Sequence, residues 1–409
     1  MQITRRLLLV SAAALALAPG GAIAAPAFTL DIVRNRFSLK LPEAEYGVST
    51  GLTARPGGAL LVHSAEGPLY GRGFGLNGDA AGGRFKIAGD NAGTFVASAF
   101  PDPLAFENGS ALVLFSGTVR GVEGYGVFAR PLAPDGGRGD FVRVGKSPEG
   151  PATVAAARFG ADAAIVAWGQ EGNSLSVNPQ LRWRIVGADG APRGEVHKLE
   201  APFGAVSQYP RFVAGLTGGG AAIGFVRSSD LDGGNSLWVQ RVSPEGDAAG
   251  DPVSLGSERP LALTGLGQNR FAVCLGRTDG DIDLTVFSPE GEARPPVVVK
   301  SGITSVDDVI AARTMLPDGR ANGIALLLAG AKLRGMAVSV LLVDDEGTRL
   351  AKPARIFLAP DGPLIFGRRS EARHLAVLEN GDLFAVYRLK ESGFDTRPPV
   401  ASIIRIGGA

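Results

Sequence analysis

With 409 residues, 45% of them apolar, the chain has ample material for a large core, and its 59 glycines are about twice the usual share. A net charge of +1 supplies no global field for nucleic acid or an anionic membrane surface, so neither partner is expected. The single cysteine, Cys274, excludes an intrachain disulfide, and its strand-like setting from Arg270 to Leu275 marks it as a small buried hydrophobe.

Taken from the N-terminus, residues 1–24 have the pattern of an export signal. Thr4-Arg5-Arg6 precedes the apolar run Leu7 to Ala18, and Ala22-Ile23-Ala24 offers small residues for cleavage. The arginine pair resembles a twin-arginine signal, which implies a periplasmic or secreted protein; the alternative is an ordinary secretory signal. No other apolar run is long enough to span a bilayer as a helix. Residues 25–409 are expected to form one domain.

Near the start of that domain Arg36-Phe37-Ser38-Leu39-Lys40-Leu41 reads as a strand without a local partner. A turn signature then recurs, an acidic or amide residue followed by Gly78, Gly136, Gly190, Gly246, Gly291 and Gly347, spaced 45–58 residues apart. Such a period means an array of units, none of which can bury its apolar face alone. Each unit divides into four short strands. The third gives 152–158, 163–168, 181–186 and 195–199; the fourth, 210–216, 221–226, 237–242 and 252–255; the fifth, 261–266, 271–275, 282–287 and 295–299. First strands such as Thr153 to Ala157 are small. Second strands such as Ala111 to Phe115 are apolar throughout, as burial on both faces requires.

The last unit offers 374–378, 383–387 and 401–406 and lacks a fourth strand. The unpaired 36–41 segment would complete it and leave no open edge. This organisation resembles the β-propeller superfamily: all-β, seven four-stranded blades over 28–406, with six or eight blades if the irregular unit 303–358 is misread. The resemblance specifies fold and no particular function. It implies ligand binding around the channel mouth, near the ends of the second strands.

There the sequence places Gln170, Arg227, Arg277 and Arg388, a set able to hold an anion through bidentate hydrogen bonds. The competing use is pairing of each arginine with a loop acid such as Asp230, Asp279 or Asp395. An arginine trio is similar to the carboxylate grip of sialidases. Their repeated Ser-x-Asp-x-Gly-x-Thr-Trp turn is absent, the nearest stretch being Ser228 to Trp238, so sialidase activity is not expected. Trp168, Tyr387, Tyr209 and Tyr46 could stack on a ligand at the rim or pack between blades. Asp230 and Asp232 offer oxygen ligands for Ca²⁺ without completing a known calcium loop; no other cofactor is expected. His63, His197 and His374 lie in different units and cannot form a three-histidine metal centre.

These readings favour a binding or scaffold module that recognises a protein, a peptide or an anionic glycan at the mouth. The alternative is a glycoside hydrolase or polysaccharide lyase using acids such as Glu171, Asp230 or Asp279. A purely structural envelope protein would carry no pocket at all.

Overall fold

A computed structural model describes residues 28–41, 49–64, 68–89, 95–96, 101–147, 150–169, 180–200, 205–229, 234–320, 323–332, 335–358, 369–390 and 399–408. The expectations at residues 1–24, Tyr46, Gln170, Glu171, Asp230, Asp232 and Asp395 lie outside them. Among the described residues there is no helix. Seven antiparallel sheets form the seven blades of a β-propeller; in six of them the strands run outward in chain order, and the seventh has the N-terminal strand outermost. Unit 303–358 is a regular blade, with strands Ser305–Thr314, Gly323–Lys332, Gly335–Val343 and Ala354–Leu358. In blade 2 the inner strand is split into Phe95–Val96 and Asp102–Ala105, both paired with the second strand.

The recurrent glycines all fall between third and outer strands. In blade 3, for example, Leu181–Gly187 and Pro192–Leu199 are joined through Gly190, whose φ of 80° is a left-handed conformation that glycine adopts without strain.

The ring closes as the terminal strands require, but with a longer strand than the sequence suggests. Phe28–Ser38, rather than 36–41, pairs with Val400–Gly408, in a register running from Phe28 opposite Gly408 to Ser38 opposite Val400. Leu39 and Leu41 continue beyond it into the core between blades 7 and 1. The early half is hard to recognise because it faces water: Asp31, Ile32 and Val33 are exposed, which blurs the alternation.

Apolar clusters join every adjacent pair of blades in a closed circle, with a second one between blades 6 and 7 around Phe28. Second strands serve two clusters at once. In blade 6, Ile324, Leu326 and Leu328 face blade 5, while Ala325, Leu327 and Ala329 face blade 7. The period-2 geometry of a strand therefore reads as an uninterrupted apolar run when both faces are covered.

Candidate functional site

Residues from all seven inner strands meet around a central cavity of about 610 Å³, within the range of small-molecule sites. Toward the turns joining first to second strands the channel narrows. A Cβ at Gly215 would lie 2.0 Å from the Arg158 carbonyl oxygen, and one at Gly265 would lie 2.1 Å from that of Gly215. Only glycine lets the inner strands of blades 3, 4 and 5 touch backbone to backbone there.

Four of the inner strands are irregular at the level of the cavity. The blade 2 strand breaks immediately before Asp102. In blade 4 the register skips Arg211, between Pro210 and Phe212. In blade 6 it skips Asp307, between Val306 and Asp308, and in blade 7 it skips a residue just before His374. The inner strands of blades 1, 3 and 5 keep a continuous register. Successive residues of a regular strand point to opposite faces; a bulge re-aims them. Arg211 and Phe212, like Asp307 and Asp308, are neighbours in sequence that line the same lumen.

The polar lining is specific. Asp102 Oδ2 accepts the Ala156 amide hydrogen from blade 3 at 2.7 Å. Burial against the channel wall pushes the Asp102 pKa up to about 7, an effect that this hydrogen bond only partly offsets. Arg211 meets Glu258 at 2.6 Å, and Asn235 donates to the other oxygen of Glu258 at 2.5 Å. Arg259 reaches Asp283 at 2.8 Å. His374 donates from Nε2 to the Thr50 carbonyl of blade 1. Among the described lining residues there are four carboxyl groups (Asp102, Glu258, Asp307 and Asp308) against two guanidiniums, Arg211 and Arg259.

The residues expected at the mouth are held within their own blades. Arg277 is clamped by Asp279 at 2.8 Å and Asp283 at 3.1 Å, the pairing that competed with the anion-site reading. The pair raises the Arg277 pKa above the usual guanidinium range, and its hydrogen bonds lower Asp279 to about 2. Through Asp283 it also buttresses Arg259 in the lumen. Arg227 lies over the Trp238 ring at 4.5 Å and donates to Gln208 Oε1 at 3.3 Å; burial lowers its pKa. Arg388 is buried, 7% exposed, with its pKa lowered by that burial.

The described aromatics take the interblade use rather than the rim. Trp168 and Tyr387 are fully buried and Tyr209 nearly so, because each packs between blades and offers no face to a ligand. Trp168 Nε1 donates to the Lys146 carbonyl at 3.2 Å, and Tyr387 shares a hydrogen bond with Ser402 at 3.1 Å. Cys274 is buried, its thiol pushed up to about 12, which keeps it protonated and unreactive. No cluster of three metal-ligating side chains occurs among the described residues.

Sequence reasoning looks to strand ends and misses the lumen residues. A signal exists: Asp307-Asp308 and Arg211 are charges inside inner strands.

No protein-family model matches the chain, and no curated protein matches it. Solved structures do. The ring is similar to the BP39L lectin from Burkholderia pseudomallei, with a TM-score of 0.52 and 14% identity over 87% of this chain and 99% of that one. It is also similar to the α-L-arabinanase of Penicillium chrysogenum, solved with arabinobiose (TM-score 0.47, 14% identity, 78% of this chain and 98% of that one). A third is the GH93 α-L-arabinofuranosidase of Fusarium graminearum (TM-score 0.46, 10% identity, 77% and 97%). At such identities the likeness is one of fold.

Proposed function

We propose that this propeller is a carbohydrate-binding protein whose ligand sits in the central channel. The observation that carries the reading is the set of inner-strand breaks and bulges that turn Asp102, Arg211, Asp307, Asp308 and His374 toward one cavity. Bulges recur beside functional sites because they redirect side chains that a regular ladder would send elsewhere. A sugar needs hydrogen-bonding groups for its hydroxyls and apolar faces for its C–H surfaces. The lumen supplies the second through Leu52, Phe212 and Ile310. The excess of carboxyl groups over guanidiniums favours a neutral glycan over the anionic one expected from the mouth arginines. Similarity to a lectin supports carbohydrate as the ligand class.

Calorimetric titration with neutral arabinan, xylan, galactan and β-glucan oligosaccharides tests this reading. Arg211→Ala is expected to weaken binding at least about tenfold, by removing a charge-assisted contact. Arg227→Ala, which leaves every lining residue in place, should change it less than about threefold. The reverse pattern would move recognition to the mouth and overturn the lumen assignment.

A further inference from the structure

The lumen contains more than binding requires. Asp102 stands in blade 2 and Asp308 in blade 6, three blades apart in a ring of seven and therefore nearly opposite each other. Both line the cavity, so a ligand that fills it lies between them. Their surroundings differ. Asp102 is packed into the wall with one oxygen on the Ala156 amide, which leaves Oδ1 to carry a proton. Asp308 is half-buried, and the Val309 amide donates to its Oδ1 at 2.9 Å, which fixes the direction of the carboxylate. Two carboxyl groups in unlike environments, flanking a space for substrate, are the requirement for acid–base cleavage of an acetal.

We propose that the channel hydrolyses a glycosidic bond of a neutral glycan, with Asp102 as proton donor and Asp308 as the base that activates water. The inference rests on the lumen-binding reading above. Asp102 gives its proton to the bridging oxygen as the bond from that oxygen to the anomeric carbon breaks. A water oxygen forms the new bond to the same carbon and loses a proton to Asp308. Both carboxyl groups return to their starting states by exchange with solvent, so no oxidant, metal or second substrate is consumed.

The purified full chain is incubated in ¹⁸O-water with the same four neutral oligosaccharide classes, and the products are read by mass spectrometry. New reducing ends carrying one solvent oxygen are expected from at least one class. Asp102→Asn keeps an acceptor for the Ala156 amide, and Asp308→Asn changes no volume. Each should lower kcat by about 100-fold or more, a loss at least about tenfold greater than any accompanying loss of calorimetric affinity. Should either variant fold poorly, the pH–rate profile of the unaltered protein decides: its rate should fall as pH rises past about 7, where Asp102 loses its proton. Binding without new reducing ends overturns hydrolysis and leaves the lumen-binding reading standing. Neither binding nor cleavage overturns both. An unchanged kcat in Asp102→Asn, or a rate flat through pH 7, removes Asp102 as the acid.

Discussion

Asp102 is held in a costly state. Its pKa is about 7 in the folded protein against 3.8 for a free side chain, so the native state binds a proton across that window and the unfolded chain does not. The stability this contributes is fully present below pH 3.8 and is lost as pH rises through 7. Asp102→Asn is therefore expected to melt higher than the unaltered protein at pH 8, by up to a few kcal/mol of stability, and to converge with it near pH 4. Thermal melts across that range check it; equal shifts at both ends would show that the carboxyl is not buried in this way. His63 works in the opposite sense. It is fully buried, neither ring nitrogen has a hydrogen-bond partner among the described residues, and burial lowers its pKa to about 4. The unfolded chain gains that proton below pH 6.5, so this group removes stability as pH falls from 6.5 to 4. A buried histidine and a buried carboxyl thus tilt the same curve from opposite ends.

At the scale of strands and turns, much is legible in the amino-acid order alone. The apolar second strands and the glycine turns follow from rules of spacing, and all six turns fall between third and outer strands. The lumen is only faintly legible: charges inside inner strands mark Asp307-Asp308 and Arg211, but a bulge leaves no mark in composition, so nothing says that both aspartates face one way. Nor does aromatic identity reveal exposure, since Trp168 looks the same in sequence whether it stacks on a ligand or fills an interblade core. The closing strand is half legible, evident at Phe37 and lost at Asp31. Its role gives a prediction. A variant lacking residues up to 38 exposes the whole Val400–Gly408 edge, and should lose its sharp melting transition and associate. A synthetic peptide of residues 28–38, added in excess, should restore the transition. An unchanged melt without the strand would show that the ring does not depend on it.

For the whole molecule, the circle of interblade cores means that no blade has a private interior. Trp168 belongs to the core between blades 2 and 3, while Ala167 beside it belongs to the core between blades 3 and 4. Damage at one interface therefore reaches both neighbours. Trp168→Ala should cost about 3–5 kcal/mol and lower the temperature of a single transition rather than split it in two. Scanning calorimetry distinguishes the outcomes: two separated peaks would mean that blades unfold independently, as repeats do in an open stack.

Blade 7 takes its outermost strand from Phe28–Ser38 and its other three from residues 369–408. In chain order that outermost strand precedes every other strand of the ring, and its partner, Val400–Gly408, follows every other. Until that partner exists the early strand has no ladder to join. A chain stopped short of Val400 would carry nearly all the material of a folded protein and still be unable to shut. The seam thus tells a closed ring from one that lacks its final strand.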